Sequence, residues 1–350
     1  MAMNLTLDGR IRDLQAVVLD SDSLQAAILP AIGGKIYDLI WKPKGRNILW
    51  HNPRILPQTF AIDANFDNYW CGGWDDAFPT CDPCEYRGEQ YPALGELRSL
   101  NWQVKEAGEY GAKAFVKLTA FGPISPVRAE KTVTLMAKMP VLRMRYEITN
   151  LGPLPLEFIW GTHPALEAHE NLILRIPAKT GMVGQATDPR LGAPGQRYAW
   201  PRLETPEGVV DMSRVQSIDA KVACGHYALD LEAGWYAVED SRTGDGFLLK
   251  FPLAQCPYLW MWLVYGGWRG YHHIIIEPWT SYPNKLADAV RQNTHRTLLS
   301  GERFCAEVGA TVYEGAEGHE QALRRLEDLQ VPDEAGNCAA RPLKARGIAA

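Results

Sequence analysis

Short apolar segments separated by turns recur along most of the chain. Alternating apolar and polar positions, enriched in β-branched and aromatic residues, predict strands, and Gly, Pro, Asn or Asp bounds nearly every segment. The predicted strands cover much of 14–41 and residues 113–121, 128–137, 141–149, 172–176, 234–239, 246–251, 258–264, 273–277, 295–299 and 304–313. Because helices do not alternate with these strands, we predict an all-β fold, a large antiparallel β-sandwich.

One long stretch lacks this pattern. Residues 51–95 are rich in Pro, Asp, Asn, Gly and aromatic residues and show no sustained period. A structureless stretch of this length inside a compact chain is more often functional than idle. We therefore predict a long loop that lines or covers a site.

A helical pattern occurs only near the C-terminus. Residues 319–329 place apolar side chains on one stripe with charges opposite, which predicts a short helix packed on the outside of the sandwich. The stripe consists of Ala322, Leu323, Leu326 and Leu329. No repeat or shift in composition marks a boundary, so we predict one domain over residues 1–331 and a C-terminal tail over 332–350.

A carboxylate ends the most apolar of the predicted strands. Three isoleucines precede Glu277, and Pro278 follows it and removes a backbone donor. Alternation puts Glu277 on the same face as Ile275, where a glutamate needs a partner or a function. The alternative is an exposed glutamate at a strand end, paired with Arg269 or Lys285.

A histidine stands in a similar place. His163 precedes Pro164, and the residue before a proline is biased to extended backbone, so we expect His163 at a strand end with its ring fixed relative to the sheet. A structural histidine is the alternative. An acid and a base presented by two facing strands are what proton-transfer catalysis requires, and His163 and Glu277 are the candidates for them.

The composition narrows the class of protein. Of 350 residues, 46% are hydrophobic and 22% are charged, and the net charge of -5 comes without a basic patch, so nucleic acid is not an expected partner. Twelve Trp and fourteen Tyr offer apolar faces that suit sugars, although many will be core. Seven cysteines do not form a secreted disulfide framework, and the chain lacks a secretory apolar segment or a membrane-length run. We expect a cytoplasmic protein without a membrane partner.

The sequence gives little support for a metal or a cofactor. Asp75, Asp76 and Asp82 do not match an EF-hand loop. The pair Cys81-x-x-Cys84 has no second ligand pair at the spacing of a closed zinc site. Phosphate-binding glycine motifs are missing as well. We therefore expect no metal and no cofactor.

Short motifs along the chain resemble the aldose 1-epimerases, the galactose mutarotase-like proteins. They are G-G-K-I at 33–36, G-R-N-I-L-W at 45–50, Y-P-A-L-G-E-L-R at 91–98, W-G-T-H-P-A-L at 160–166, I-E-P-W-T at 276–280 and L-L-S-G-E at 298–302. Ser300 stands where the last family pattern has proline. In the third motif the family has a histidine that helps hold the sugar ring oxygen, and this chain has Leu94.

The resemblance implies a fold, a reaction and roles for two residues. It implies a galactose mutarotase-like β-sandwich with an open, pyranose-sized cleft. It also implies that the chain interconverts the anomers of a free or modified sugar by opening its ring, with Glu277 as the base and His163 as the acid. The partner is then a small carbohydrate, and the chain is a monomer or a homodimer.

Other side chains are predicted to hold the sugar. Trp74 and Trp279 are candidates for stacking and Asp76 for the hydroxyls, while Arg54 and Arg98, like His51, reach in from the loops.

Two other functions stay open. Leu94 favours a sugar-binding or sugar-sensing protein that kept the cleft without activity. The third possibility is an isomerase or lyase that acts on an acidic or phosphorylated sugar, with Arg54, Arg87 and Arg98 as the anion contacts.

Overall fold

A computed structural model describes residues 3–185, 187–315 and 317–327. Most of the regular structure in these residues is strand. The strands in chain order are β1 (Asn4–Ile11), β2 (Leu14–Asp20), β3 (Leu24–Leu29), β4 (Lys35–Trp41), β5 (Arg46–Asn47), β6 (Trp74–Ala77), β7 (Cys84–Tyr86), β8 (Glu89–Tyr91), β9 (Gln103–Tyr110), β10 (Lys113–Phe121), β11 (Val127–Met136), β12 (Val141–Asn150), β13 (Leu156–Phe158), β14 (Gly161–Glu167), β15 (Leu172–Arg175), β16 (Ala178–Val183), β17 (Arg197–Ala199), β18 (Arg202–Thr205), β19 (Gly208–Asp211), β20 (Val222–Leu231), β21 (Trp235–Asp240), β22 (Gly246–Lys250), β23 (Tyr258–Tyr265), β24 (His272–Trp279), β25 (Arg296–Leu298) and β26 (Arg303–Tyr313).

The helices are short. They are α1 (Phe66–Tyr69), α2 (Leu286–Arg291) and α3 (Gly318–Arg324). The predicted C-terminal helix is present as α3, and Ala322 and Leu326 nearby pack on the outer side of β22 and β26 as expected. Leu329 and the predicted tail, 332–350, lie outside the described residues. Within those residues, none of the helices is long and apolar enough to cross a membrane.

Two antiparallel sheets face each other across the core, which confirms the predicted all-β sandwich. The larger sheet has the order β1-β2-β3-β4-β6-β14-β24-β23-β20-β16-β17, with β5 paired to β4. The smaller has the order β15-β21-β22-β26-β12-β11-β10-β9. Apolar residues of both sheets form one buried cluster, to which β24 contributes Ile274 and Ile276. Ile275 and Glu277 therefore lie on the other face of the larger sheet.

Two expected strand ends lie inside strands. β24 continues past Glu277 to Trp279, and Pro278 pairs opposite Leu259. β14 likewise runs through His163 and Pro164 to Glu167. Proline removes only one donor and its fixed φ is compatible with extended backbone, so both strands continue. The two candidate residues are consequently held by paired strands on either side.

The stretch 51–95 is only partly a loop, which corrects the prediction. It contains α1 and the strand pair β7 and β8, and β6 lies within the larger sheet between β4 and β14. The residues around β6 cover one face of that sheet. A strand of four residues inside a region rich in turn residues does not show a sequence period.

Candidate active site

A cleft of about 670 Å³ opens on the face of the larger sheet that points away from the core. His163 and Glu277 both line it. The other lining side chains discussed below are Phe66, Asp67, Trp70, Cys81, Asp82, Leu94, Met182, Gln185, Tyr227, Trp260, Trp262, Asn284, Lys285, Asp288 and Gln292. The fold thus brings together the acid and base candidates that are 114 positions apart in the sequence, since 277 − 163 = 114.

A line of directly paired residues on neighbouring strands of the larger sheet crosses this cleft. β14 and β24 keep the same register on both sides of His163, which places His163 level with Glu277. Further along, Glu277 pairs with Trp260, Trp260 with Tyr227, and Tyr227 with Met182. Direct cross-strand partners point to the same face, so these five side chains form one line, here called the cleft row.

The carboxyl group of Glu277 is fully buried, and only one of its two oxygens has a hydrogen-bond partner in the described residues. Its Oε2 accepts a hydrogen bond from Nε1 of Trp279 at 3.2 Å, whereas its Oε1 has no partner within the described residues. Burial raises the pKa of Glu277 well above its usual value, with a smaller opposing effect of the Trp279 hydrogen bond. Burial thus favours the protonated form of Glu277, and Oε1 is a buried oxygen that a ligand hydroxyl would satisfy.

The His163 ring is fixed by aromatic neighbours and is neutral. Trp70 and Phe66 pack edge to face against the ring, with centroid distances of 5.7 Å and 6.2 Å. Its Nδ1 has no hydrogen-bond partner in the described part of the chain. Burial lowers the pKa of His163 to about 4, opposed by the nearby carboxylate of Asp75 and assisted by Lys35. A neutral imidazole can accept a proton. At one end of the cleft row, His163 is therefore a proton acceptor next to Glu277, the proton donor.

A buried ion pair adjoins His163 on the side away from Glu277. Asp75 is the cross-strand partner of His163 on β6, and its carboxylate lies 3.0 Å from Nζ of Lys35. Nε1 of Trp70 donates to the same carboxylate at 3.2 Å. The aromatic neighbour of His163 is thereby tied to the ion pair, which fixes both. The sequence analysis predicted a sugar contact for the adjacent Asp76 and gave Asp75 no role at the site.

Trp74 and Asp76 do not face the cleft, which corrects their prediction as sugar contacts. Trp74 is fully buried in the core, and Asp76 accepts hydrogen bonds from Lys131 at 2.7 Å and Thr162 at 3.0 Å on the core side. Side chains alternate along β6, so these two residues point one way and Asp75 points the other. Their positions in a strand could not be read while the region was taken for a loop.

Trp279 supports the carboxyl group rather than offering a free face. It is buried, it does not line the cleft, and it donates to Glu277. Its indole crosses β14 at Gly161, where an added Cβ would lie 2.4 Å from the ring. Glycine at this position therefore allows the indole to reach Glu277. The predicted stacking role does not fit this burial.

The predicted arginines lie outside the cleft lining. Arg98 is buried and donates to the carbonyls of Ala93 and Ala64, so it braces the backbone behind the cleft wall. Arg54 lies over the ring of Tyr271 at 4.4 Å. Neither guanidinium group lines the cleft, but Nη1 of Arg98 is a buried nitrogen without a hydrogen-bond partner among the described residues, so contact of these arginines with a sugar stays a prediction.

His51 and Arg87, which were also predicted to contact the sugar, bind other side chains of the protein instead. His51 stacks on Tyr37 with a centroid distance of 3.9 Å, and Arg87 pairs with Glu157 at 2.7 Å. Neither lines the cleft.

Leu94 does line the cleft, at the position where the resembling family has histidine. Its backbone is left-handed, with φ of 56°, a conformation that is uncommon for a leucine. Hydrogen bonds hold it there, from its N–H to Cys81 at 2.6 Å and from Phe78 to its carbonyl at 3.3 Å. The backbone thus presents an apolar side chain, only 3% exposed, to the cleft wall.

The described residues contain no group of three or more His, Cys, Asp or Glu side chains placed to hold a metal ion. Cys81 is buried in the cleft wall, and Sγ of Cys84 contacts Oγ1 of Thr80 at 3.6 Å.

A second cavity, of about 560 Å³, is lined by residues of β25 and of the ends of β11, β12 and β26. Arg128 and Arg303 line it, and both are paired with glutamates, Arg128 with Glu130 and Arg303 with Glu147. It does not contain a proton donor and acceptor facing each other, so the candidate site is the cleft.

Known structures with this architecture were found, although no protein-family model matches the chain. A proposed aldose 1-epimerase from Klebsiella pneumoniae is similar over 93% of this chain and 87% of its own, with a TM-score of 0.69 and 12% identity. A galactose mutarotase-like protein from Clostridium acetobutylicum is similar over 89% of this chain and 99% of its own, with a TM-score of 0.63 and 16% identity. A galactose mutarotase related enzyme from Lactobacillus acidophilus is similar over 86% of this chain and 98% of its own, with a TM-score of 0.58 and 14% identity. The chain therefore has the galactose mutarotase-like fold.

Proposed function

We propose that the chain is an aldose 1-epimerase that interconverts the anomers of an uncharged sugar. The observation that carries the proposal is the pair His163 and Glu277, level on neighbouring strands of an open cleft, each with one polar atom that lacks a partner among the described residues. Buried polar atoms without partners are uncommon, and a ligand with hydroxyl groups would satisfy both. The fold shared with mutarotase-like proteins adds support.

The reaction needs two coordinated proton transfers. One group of the pair takes the proton of the anomeric hydroxyl, and the other gives a proton to the ring oxygen. The bond between C1 and the ring oxygen breaks while the C1 carbonyl forms, and rotation about C1–C2 followed by reclosure gives the other anomer. Each positioned proton-transfer group contributes on the order of 10² to 10⁴-fold to such a reaction.

The pair carries one proton in its active form. Burial favours protonated Glu277 and neutral His163, which makes Glu277 the donor and His163 the acceptor. The family resemblance implies the reverse assignment, with Glu277 as base and His163 as acid, and that form carries the same single proton. Because both assignments carry one proton, the active form is lost when His163 gains a proton or when Glu277 loses one.

The pH dependence of kcat/KM follows from the single proton that His163 and Glu277 carry between them. As pH falls through about 4, His163 takes up a second proton and the pair loses its acceptor. As pH rises through the raised pKa of Glu277, the pair loses its only proton. We expect the acid-side loss of kcat/KM to fall near pH 4 instead of near 6.5, the pKa of an ordinary imidazole, and the alkaline loss to lie above the usual pKa of a glutamate. Rates corrected for spontaneous mutarotation test this, and an acid limb near 6.5 contradicts it.

Gly161→Ala is expected to lower kcat by about 10²-fold, because displacement of a catalytic group by about 1 Å has costs of this size. The new Cβ would lie 2.4 Å from the Trp279 indole, which must shift and move its hydrogen-bonded partner Glu277. Gly108→Ala on β9 is the control, since its Cβ would meet Phe115 at an ordinary 3.6 Å. Equal loss in both variants would contradict a specific role for Gly161.

A sugar-binding protein without activity is the second candidate, and Leu94 favours it. An apolar side chain in the cleft wall cannot donate a hydrogen bond to a ring oxygen. The pair His163 and Glu277 argues against this candidate, because a protein that only binds sugar does not need a proton donor and a proton acceptor side by side. Calorimetry separates the two, because sugar affinity without faster anomer exchange supports the binder.

The cleft charge argues against an acidic or phosphorylated substrate. Among the described residues that line it, Lys285 is the one lysine or arginine, while Asp67, Asp82 and Asp288 are carboxylates. Asp67 and Asp288 have arginine neighbours, Arg269 and Arg291, yet the lining itself carries more carboxylates than cations, which disfavours a phosphate group. The substrate is accordingly an uncharged aldose.

The test uses freshly dissolved single anomers of glucose, galactose and glucose 6-phosphate, followed by polarimetry or NMR. We expect at least one neutral aldose to equilibrate faster than in buffer and the phosphate ester to show no acceleration. If no aldose, neutral or charged, equilibrates faster than in buffer, the epimerase proposal fails. Acceleration confined to the phosphate ester would overturn the substrate class instead.

A further inference from the structure

The cleft row extends well past the catalytic pair. Three strand spacings separate Glu277 on β24 from Met182 on β16. At roughly 4.8 Å for each spacing, Met182 lies about 14 Å from Glu277 along the sheet. The cleft is lined over this whole distance, and its volume of about 670 Å³ is typical of sites for drug-sized ligands. A single sugar ring at Glu277 would leave the other end of the cleft unfilled.

That other end has the surface that sugars favour. The rings of Tyr227 and Trp260 are nearly parallel, at 20°, with centroids 6.1 Å apart. The Tyr227 hydroxyl donates to Oδ1 of Asn284 at 3.0 Å, and Nε1 of Trp260 is a buried donor without a partner in the described residues. Apolar ring surface with polar edges matches the C–H groups and hydroxyls of a saccharide.

The polar side chains at this end include several amides. Gln185, Asn284 and Gln292 bring amides, which both donate to and accept from hydroxyls. Lys285 and Asp288 also belong to the cleft lining, and Asp288 is paired with Arg291. The lining thus suits an uncharged group with many hydroxyls better than an anion or a purely apolar group.

We propose that this outer end, formed by Trp260, Tyr227, Met182, Gln185 and Asn284, binds a second uncharged sugar residue, so that the preferred substrate is a reducing disaccharide. The proposal rests on the proposed function for the position of the reducing residue at His163 and Glu277. That residue keeps its anomeric hydroxyl free, so the second sugar is attached through another of its hydroxyls.

The test compares kcat/KM for single anomers of lactose with that for galactose and glucose. We expect lactose to be favoured by about tenfold, the contribution of one good aromatic contact. Tyr227→Ala should abolish most of this preference, and Tyr227→Leu, which keeps apolar volume for folding, should do the same. Tyr110→Ala, at an exposed tyrosine on β9, is the matched control and should keep the preference. Equal or lower kcat/KM for lactose overturns the subsite.

Binding measurements separate failure of the subsite from failure of the proposed function. If no sugar equilibrates faster than in buffer, the epimerase proposal is wrong, and calorimetry then judges the subsite alone. Affinity for lactose about tenfold above that for galactose, lost in Tyr227→Leu, supports it. Equal affinities for the two sugars, or a preference that survives in Tyr227→Leu, overturn it.

Discussion

Replacing Glu277 by glutamine is expected to lower kcat for anomer exchange by about 10² to 10⁴-fold. The amide has the same shape, and its oxygen can still accept the hydrogen bond that Trp279 donates. It cannot give up or take a proton at the working pH, so the proton relay is broken while the cleft stays intact. The loss should therefore appear in kcat, with sugar affinity retained.

Glu167→Gln is the matched control for this variant. Glu167 is an exposed glutamate at the end of β14, outside the cleft lining. Its replacement should leave the rate within about twofold of the wild type, as is usual for surface substitutions. A Glu277→Gln variant that is folded and as active as Glu167→Gln would remove Glu277 from the mechanism.

His163→Asn is expected to produce a loss of similar size, again about 10² to 10⁴-fold. Asparagine keeps a polar group between Phe66 and Trp70 but cannot exchange a proton. Any residual activity should also lose its acid limb near pH 4, because that limb belongs to the titration of His163. A merely structural role would lower the rate without moving the pH profile.

His169→Asn controls for replacement of a histidine. His169 is partly exposed beyond the end of β14 and lies 3.8 Å from Asp240. We expect it to retain both the rate and the acid limb. If His163→Asn keeps the limb near pH 4, another group controls the acid side and the assignment of His163 is wrong.

The alternation of side chains predicted much of the sandwich. β10 has the predicted bounds, and β11, β12 and β26 differ from prediction by a residue or so, because each pairs on both sides and keeps a clear apolar pattern. β20 was not predicted. It is almost wholly buried and contains Gly225 and His226, so no alternation marks it.

The site was predictable only in part, for two physical reasons. Motifs led to His163 and Glu277, and the structure places both in one cleft. Which face of β6 looks into that cleft depends on the parity of a four-residue strand, so Asp76 was named in place of Asp75. The role of Trp260 depends on its register with Glu277, and cross-strand register is not encoded in either segment alone.

The exchange rate between the α and β anomers of an equilibrated neutral aldose, measured by magnetisation-exchange NMR, tests the central claim most directly. Glucose and lactose are the probes, and wild type is compared with Glu277→Gln at equal concentration. We predict that the rate rises in proportion to wild-type concentration and stays at the buffer rate with the variant, while both proteins bind the sugar. Sugar resonances that shift on binding to the wild type without any rise in the exchange rate would contradict the account.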